Sequence, residues 1–279
     1  MAMRLGIRHE THYEYSSALR YALQHLCLTP ASGPHQRVLD WSVTAPGRLF
    51  PQRDGHGNLA HSWSLQREPG ARRVYRGSVV ASGTVQTVGV AIVDDGAELP
   101  HPALYLRATD LTAADAALAE LGRTHLASGV DEAALRGLAA AVRERVCYRS
   151  GVTDVATTAS QALALGAGVC QDQAHVFLAA CRGAGVPARY VSGYFHSPRA
   201  KDLASHAWAE VCIDRAQRRW LSLDITHDAL MDERHVRLAA GPDYAGCAPI
   251  RGVREGGGDE TLRVCMQVRE INEEALLES

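Results

Sequence analysis

The chain of 279 residues contains no long apolar run and no marked excess of either charge. No stretch approaches the roughly 18 consecutive apolar residues that a membrane-spanning helix needs. The formal net charge is −2, and a protein so close to neutral exerts no global attraction on nucleic acid or on anionic lipid. The sequence therefore predicts no nucleic-acid partner and no membrane partner. The composition, 46% hydrophobic and 22% charged, is that of a globular protein.

The seven cysteines lack the spacing of a disulfide framework or of a zinc site. Their number is odd, their separations are wide, and no C-x-x-C pair occurs. The first ten residues also lack the apolar segment of a secretory signal, because charged residues interrupt them. We expect a cytoplasmic protein that holds no metal and no cofactor, with most cysteines buried as small apolar residues.

Two patterns of hydrophobicity divide the chain near residue 105. Before this point, apolar and polar residues alternate as they do in β-strands, most clearly over residues 4–15. Further strands are predicted at residues 21–29, 37–44 and 60–66, with two or three more within 72–93. The sequence predicts an α+β protein with a β-rich N-terminal domain at 1–104 and a second domain at 105–279.

The second domain combines helices with strands. Apolar residues at helical spacing predict a long helix at 131–146 and another that begins at about Cys170. Capping boxes predict two shorter helices, which begin near Thr112 and Thr158. Strands are predicted at residues 190–195, 206–213, 219–225 and 262–268, of which the second and third form a hairpin about residues 214–218.

A glycine-rich segment at 166–168 delivers Cys170 to the first turn of a predicted helix. A helix N-terminus carries a partial positive charge and N–H groups that have no partner within the helix. Both favour the thiolate, which is the nucleophilic form of cysteine, and the N–H groups can stabilise an oxyanion. We interpret Cys170 as a candidate nucleophile and its own backbone N–H as an oxyanion donor. The Gln171 side chain is a second candidate donor, although its surface position favours no role.

The predicted hairpin supplies a candidate base and a candidate orienting carboxylate for this cysteine. His206 begins the first strand and Asp224 lies at the end of the second. A turn at 214–218 would place them directly opposite or one diagonal step apart, where side chains on one face can meet. Thirteen histidines and seven cysteines also make a chance combination easy to find. Spacing alone therefore leaves a catalytic triad, a Cys/His metal site and coincidence open.

Four motifs in order along the chain resemble the bacterial transglutaminase-like superfamily. They are Gly-Val-Cys-Gln-Asp at 168–172, Gly-Val-Pro-Ala-Arg-Tyr-Val-Ser-Gly-Tyr at 185–194, His-Ala-Trp-Ala-Glu-Val at 206–211 and Asp-Ile-Thr-His at 224–227. The resemblance implies a papain-like core, in which the nucleophilic cysteine begins a helix packed on an antiparallel sheet, after a β-rich N-terminal domain. It also implies a triad in which Cys170 is the nucleophile, His206 the base and Asp224 the orienting residue.

The resemblance implies cysteine-dependent hydrolysis of amide bonds in peptides or proteins, through a thioester acyl-enzyme. A protein-glutamine γ-glutamyltransferase, which passes the acyl group to an amine, is an alternative that the same triad would serve. A binding module that retains the triad without using it is another, because a fold argues less strongly for activity than for architecture. No acidic cluster has the spacing of a calcium loop, which argues against a calcium-activated enzyme.

Four further positions carry expectations of their own. Tyr194 and Trp208 are candidates for the wall of a substrate groove, with a place in the core as the alternative. Gln173 stands where the family pattern has an aromatic residue, and Ile225 where many relatives have proline. These two departures affect helix packing and strand-end geometry rather than the triad. The N-terminal domain is predicted to restrict access to the groove.

Overall fold

The computed structural model describes residues 2–66, 76–198 and 205–271. The strands before the helical region are β1 (Ala2–Tyr15), β2 (Leu19–Leu26), β3 (Gln36–Thr44), β4 (Leu49–Arg53), β5 (Leu59–Gln66), β6 (Arg76–Val88) and β7 (Ile92–Asp94). A 3₁₀ turn at Pro102–Leu106 follows. The helices are α1 (Ala116–Leu126), α2 (Glu132–Arg145), α3 (Ala159–Leu165), α4 (Cys170–Gly183) and α5 (Tyr244–Cys247). None of the helices in the described residues is long and apolar enough to cross a membrane.

The remaining strands interleave with these helices and follow them. They are β8 (Cys147–Tyr148), β9 (Ala167–Gly168), β10 (Ala188–Phe195), β11 (His206–Asp214), β12 (Arg219–Asp224), β13 (Ala229–Leu230), β14 (His235–Gly241), β15 (Ile250–Gly256) and β16 (Glu260–Glu270). The predicted hairpin of β11 and β12 is confirmed, as is the strand predicted at 262–268. The predicted 72–93 region forms β6 and β7, and its residues 72–75 lie outside the described residues.

The β-rich part is a sandwich of two four-stranded antiparallel sheets, in the orders β16-β1-β6-β3 and β15-β2-β5-β4. In β1 every second residue from Leu5 to Tyr15 is buried, which is the pattern of a strand with one face on a core. Side chains of both sheets meet in a shared apolar cluster that includes Tyr15, Leu26, Trp63 and Val79. The sandwich therefore has a core of its own.

Strand pairing crosses the predicted division between residues 104 and 105 in two places. Strands β15 and β16 come from the C-terminal end of the chain, yet they pair with β2 and β1 and complete both sheets of the sandwich. Strand β7 comes from the N-terminal part, yet it pairs with β12 of the second domain. Both exchanges follow from unpaired strand edges, which a sheet satisfies with whichever strand the chain brings beside it.

The second domain is built on an antiparallel sheet in the order β13-β12-β11-β10-β14, with β7 also paired to β12. Helix α4 packs on one face of this sheet through an apolar cluster that includes Phe177, Leu178, Ala209 and Leu223. Its side chains are buried from Asp172 to Arg182 without a break. A helix that is buried on all sides is the centre of its domain.

The β-sandwich packs against the sheet where β10 ends and β14 begins. Leu5 and Val85 of the sandwich pack in one cluster with Tyr194 and Val236 of the sheet. The sheet therefore packs against the sandwich as well as against α4. The restriction of a substrate groove by the N-terminal domain stays a prediction.

Local signals locate most helix starts correctly. Thr158 and Gln161 form the predicted capping box at the start of α3. The helix predicted from Thr112 instead begins at Ala116, and its N-cap is Asp115, which accepts a hydrogen bond from the N–H of Leu118. Thr112 is buried, and its hydroxyl accepts a hydrogen bond from the buried Arg182 guanidinium.

Candidate active site

Cys170 is the first residue of α4, and two glycines shape the turn that leads to it. Gly166 has a positive φ of 70° and ends α3. A Cβ on Gly168 would lie 2.6 Å from the Cβ of Asp172, so no other residue fits there. The carboxylate of Asp172 accepts the backbone N–H of Val169 at 2.7 Å and thereby caps the helix. This turn leaves the side chain of Cys170 partly exposed at the helix N-terminus.

His206 and Asp224 meet as the predicted hairpin requires. Ala209 pairs with Leu223 in the β11–β12 ladder, so the register continues to Trp208 opposite Asp224. His206 is therefore one diagonal step from Asp224, on the same face of the sheet. Its Nε2 lies 2.7 Å from Asp224 Oδ2, and both side chains are buried.

Cys170, at the start of α4, is the third member of the predicted triad. Its thiol lies beside the His206 side chain, close enough to help raise the pKa of the imidazole. Since Nε2 of the imidazole is engaged by Asp224, Nδ1 is the nitrogen left for the thiol. The structure thus brings together the three residues that the sequence selected, in the order thiol, imidazole, carboxylate.

The electrostatics of the pair favour a charged imidazole. Burial alone would lower the pKa of His206, but the charge and hydrogen bond of Asp224, with the nearby Cys170 thiol, raise its pKa to about 10. Burial would raise the pKa of Asp224, but the charge of His206 and hydrogen bonds from imidazoles hold it well below its ordinary value. At neutral pH the site therefore contains an imidazolium and a carboxylate, with Cys170 beside them.

Sequence reasoning missed two further partners of Asp224. Oδ2 also accepts a hydrogen bond from Nδ1 of His227 at 2.7 Å and one from Nε2 of His235 at 3.1 Å. Phe195 packs against these rings and stacks on His227 with centroids 4.1 Å apart. The position of His227, three residues after Asp224, was a local signal. His235 gave none, because it reaches the site through the pairing of β14 with β10.

The prediction that Tyr194 and Trp208 wall a substrate groove is wrong. Both side chains have 0% exposure. Tyr194 packs against Leu5 and Val85 of the β-sandwich, whereas Trp208 packs against Val191, Met231 and Ala240 of its own domain. Tyr194 contacts Nδ1 of His9 through its hydroxyl at 3.0 Å. The Trp208 indole donates to Ser222 Oγ at 2.9 Å, and its ring stacks on that of His206. These aromatics therefore support the site from the core.

The two candidate oxyanion donors differ in their surroundings. The backbone N–H of Cys170 belongs to the first turn of α4 and has no acceptor within the helix. The side-chain amide of Gln171 donates to the carbonyl of Val155 at 3.4 Å. A role for either group in binding an oxyanion stays a prediction.

Gln173, which stands where the family pattern has an aromatic residue, is buried and forms hydrogen bonds on both sides of its amide. Its amide donates to the carbonyl of Val146 at 2.8 Å and accepts from the hydroxyl of Thr226 at 2.8 Å. Because Thr226 is two residues beyond Asp224, this buried side chain ties α4 to the turn that follows the carboxylate.

Two groups of side chains in the described residues have the proximity that a metal ion requires. They are His25 with Cys27 and Asp54, and His206 with Asp224 and His227. In both groups the carboxylate oxygens already accept hydrogen bonds, those of Asp54 from the turn at His56 and Asn58. We interpret both as hydrogen-bonded clusters and assign neither as a metal site.

Comparison with known proteins agrees with this geometry. Residues 123–225 match the model of the transglutaminase-like superfamily, and residues 5–81 match that of the bacterial transglutaminase-like N-terminal region. An uncharacterised protein of Mycobacterium tuberculosis is 31% identical over 279 residues, which span 90% of this chain and 87% of that protein. One of Mycobacterium leprae is 27% identical over 286 residues, which span 96% of this chain and 99% of that protein.

A solved structure shares the fold over nearly the whole chain. It is that of a "putative cysteine protease" from Cytophaga hutchinsonii, with a TM-score of 0.76 and 19% sequence identity. The similarity covers 98% of this chain and 92% of that chain. It includes both the β-sandwich and the helix-on-sheet domain.

Proposed function

Because the chain belongs to the transglutaminase-like superfamily, we propose that it is a cysteine-dependent enzyme that hydrolyses amide bonds of peptides or proteins. The observation that carries this proposal is the placement of His206 between Cys170 and Asp224. A buried carboxylate that fixes an imidazole beside a thiol at a helix N-terminus is the arrangement that nucleophilic catalysis by cysteine needs. A cytoplasmic location and independence of metals and cofactors remain part of the proposal.

The reaction proceeds in two acyl-transfer steps. The sulfur of Cys170 attacks the carbonyl carbon of the amide, and its proton resides on His206. The tetrahedral intermediate carries its negative charge on the carbonyl oxygen, where the backbone N–H of Cys170 can donate a hydrogen bond. The intermediate collapses to a thioester as the C–N bond breaks, and His206 gives its proton to the leaving amine.

Water completes the cycle. His206, now neutral, takes a proton from the water that attacks the thioester, and the acid is released as the C–S bond breaks. The proton returns to the Cys170–His206 pair. Throughout the cycle Asp224 keeps Nε2 of His206 protonated and the ring in one orientation. If an amine replaces water at this stage, the same residues perform transamidation.

Exposed apolar side chains beside the nucleophile support a peptide as the substrate. Tyr148 and Val155 are both more than half exposed. Tyr148 pairs with Gly168, two residues before Cys170, and the Val155 carbonyl accepts the amide of Gln171. Apolar groups that remain in solvent next to a reactive residue are typical of a surface that binds side chains of a partner.

The reactivity of Cys170 tests the proposal. The rate of alkylation by iodoacetamide is measured for each cysteine by mass spectrometry between pH 5 and pH 9, in the wild type and in His206→Ala. We expect Cys170 to react fastest at pH 6, ahead of Cys147 and Cys265, although those two are more exposed. The advantage should disappear in His206→Ala, because the imidazolium that stabilises the thiolate is lost.

Two results would count against the proposal. If Cys170 reacts like Cys147 and Cys265 in both proteins, the thiol is not activated and a binding module is favoured. If Cys170 is reactive but no peptide amide releases its amine, hydrolysis is excluded for those substrates. The same assay with an added primary amine distinguishes transamidation, which would consume the amine.

A further inference from the structure

One oxygen of Asp224 accepts hydrogen bonds from three imidazoles. Its Oδ2 lies 2.7 Å from Nε2 of His206, 2.7 Å from Nδ1 of His227 and 3.1 Å from Nε2 of His235. The His235 side chain has 0% exposure, whereas that of His227 is 38% exposed. A catalytic carboxylate requires only the contact with His206. Catalysis by the triad therefore does not explain why the buried His235 also contacts Asp224.

His235 is held between two carboxylates. While Nε2 faces Asp224, Nδ1 lies 2.9 Å from Oδ1 of Asp232. The Oδ2 of Asp232 accepts hydrogen bonds from Nε and Nη2 of Arg234, at 2.9 and 2.6 Å, which keep this carboxylate ionised. His235 thus forms a bridge from Asp224, at the centre of the site, to an ion pair near the surface.

The contacts determine the protonation state of this ring. An ionised carboxylate only accepts hydrogen bonds, so a ring nitrogen that faces one must carry the proton. Both nitrogens of His235 face carboxylate oxygens, and the ring is therefore an imidazolium. The backbone N–H of Asp232 also lies 3.2 Å from Nδ1. A ring that accepted this N–H would turn a lone pair toward Asp232 Oδ1 at the shorter distance of 2.9 Å.

We propose that His235 is a positioning residue of the active site, a buried cation that shares the negative charge of Asp224 and so limits how firmly Asp224 holds the proton of His206. The inference rests on the proposed function. Charge then alternates along a chain of five groups. They are the thiolate of Cys170, the imidazolium of His206, the carboxylate of Asp224, the imidazolium of His235 and the carboxylate of Asp232.

Within the described residues, titratable groups from several elements face the rings of His206 and His235. His206 is faced by Cys170 of α4, by Asp224 of β12 and by the ring of His227, 4.9 Å away between centroids. His235 is faced by Asp224, Asp232 and the His206 ring, whose centroid lies 6.2 Å from its own. Arg234 stacks its guanidinium over Phe195 beside this cluster.

The sign of the effect on His206 follows from these positions. His235 withdraws part of the Asp224 charge from His206 and also repels the imidazolium directly. Removal of the His235 charge strengthens the hold of Asp224 on the His206 proton. A general acid that holds its proton more firmly transfers it less readily to the leaving amine. The expected change is an increase of about one unit in the pH at which His206 loses its proton.

The test measures the protonation of the histidine rings directly by NMR of protein labelled with ¹⁵N-histidine. In the wild type at pH 7, both nitrogens of His235 should carry protons. Asp232→Asn retains the size of this side chain but removes its charge, and should leave His235 with one proton. His235→Gln removes the cation and keeps a donor for Asp224. The variant His227→Gln is the control, because it removes a donor to the same oxygen without touching Asp232.

The same titration measures the consequence for His206. The reference point is the pH at which half of the wild-type His206 rings have lost their proton, a pH that the contacts with Asp224 raise above the ordinary value. At that same pH, the deprotonated fraction of His206 in Asp232→Asn and in His235→Gln should be about one tenth, as a shift of one pKa unit requires. A packing role for His235 would change stability but not this fraction.

Two outcomes would overturn the inference. One is a wild-type His235 with an unprotonated ring nitrogen at pH 7. The other is an unchanged fraction of deprotonated His206 in Asp232→Asn, a variant whose altered side chain is 28% exposed and is expected to fold. Neither outcome bears on the proposed function, whose failure would appear as an unreactive Cys170 in the wild type.

Discussion

Neighbouring aspartates at the end of β7 provide a matched test of how burial changes an ion pair. Asp95 binds the guanidinium of Arg189 through both carboxylate oxygens, at 2.5 and 3.0 Å. Asp94 binds Arg219 in the same way, at 2.9 and 3.3 Å. The side chains of Asp95 and Arg189 are 6% and 3% exposed, whereas those of Asp94 and Arg219 are 56% and 39% exposed. The same change, aspartate to asparagine, can therefore be made at adjacent positions.

The cost at Asp95 follows from what remains around Arg189. Its Nε still binds Glu210, 2.6 Å away, and its guanidinium lies 4.1 Å from the centroid of the Trp220 ring. Glu210, however, also neutralises Arg237. Loss of the Asp95 charge would leave two buried or half-buried cations for one buried anion. Removing one partner from a buried pair costs roughly 3–5 kcal/mol, and since Glu210 remains, we expect about 3 kcal/mol for Asp95→Asn.

Urea unfolding at pH 7 measures both variants. Asp95→Asn should lower the midpoint without a change in slope, as expected when stability alone changes. Asp94→Asn should leave the midpoint at its wild-type value, because solvent screens an exposed pair. In the double variant Asp95→Asn/Arg189→Met the uncompensated cation is gone, and the loss should be smaller than the sum of the single losses. Equal midpoints for the two single variants would refute the reasoning.

Two further predictions concern stability. Burial lowers the pKa of His9, His35 and His175 to about 4 each. The unfolded chain takes up these protons near pH 6.5, so above that pH the three histidines do not change the free energy of unfolding. As the pH falls to 4, each should lower it by about 3 kcal/mol. Equal urea midpoints at pH 7 and pH 4.5 would contradict this. A Cβ on Gly122 would lie 2.0 Å from a backbone oxygen of α4, whereas one on Gly137 meets only ordinary contact at 3.5 Å. Gly122→Ala should therefore lower the thermal midpoint. Gly137→Ala should raise it, because this change increases the free energy of unfolding by about 0.5–1 kcal/mol. Midpoint shifts of the same sign for both variants would be inconsistent with the packing of α1 on α4.

The parts of the site that sequence alone could predict are those with local causes. The glycine at 168 is needed because Asp172 folds back on it within one helical turn, so the pattern around Cys170 is contained in a few residues. His206 and Asp224 belong to one hairpin, and the length of its turn limits their register to two choices. Each of these signals can be read without knowing which distant segments are neighbours.

The rest depended on contacts between distant segments. Nothing near Tyr194 reveals that a β-sandwich packs against its side chain, so an aromatic that belongs to the core was indistinguishable from one at a groove. His235 enters the site because β14 lies beside β10, a sheet order that no local pattern specifies. For the same reason the predicted domain division did not include the pairing of strands from opposite ends of the chain.

The return of β15 and β16 to the sandwich has a consequence for how the protein is made. Tyr15 and its hydrogen-bond partner Glu260 are 245 positions apart, and synthesis proceeds at about 5–20 residues per second. The ribosome therefore needs roughly 12–50 seconds after β1 has been made to deliver its partner strand. During that time the helix-on-sheet domain can fold, while one edge of β1 and one edge of β2 remain open to pairing with other chains. The β-sandwich can therefore be completed only after β15 and β16 have been synthesised.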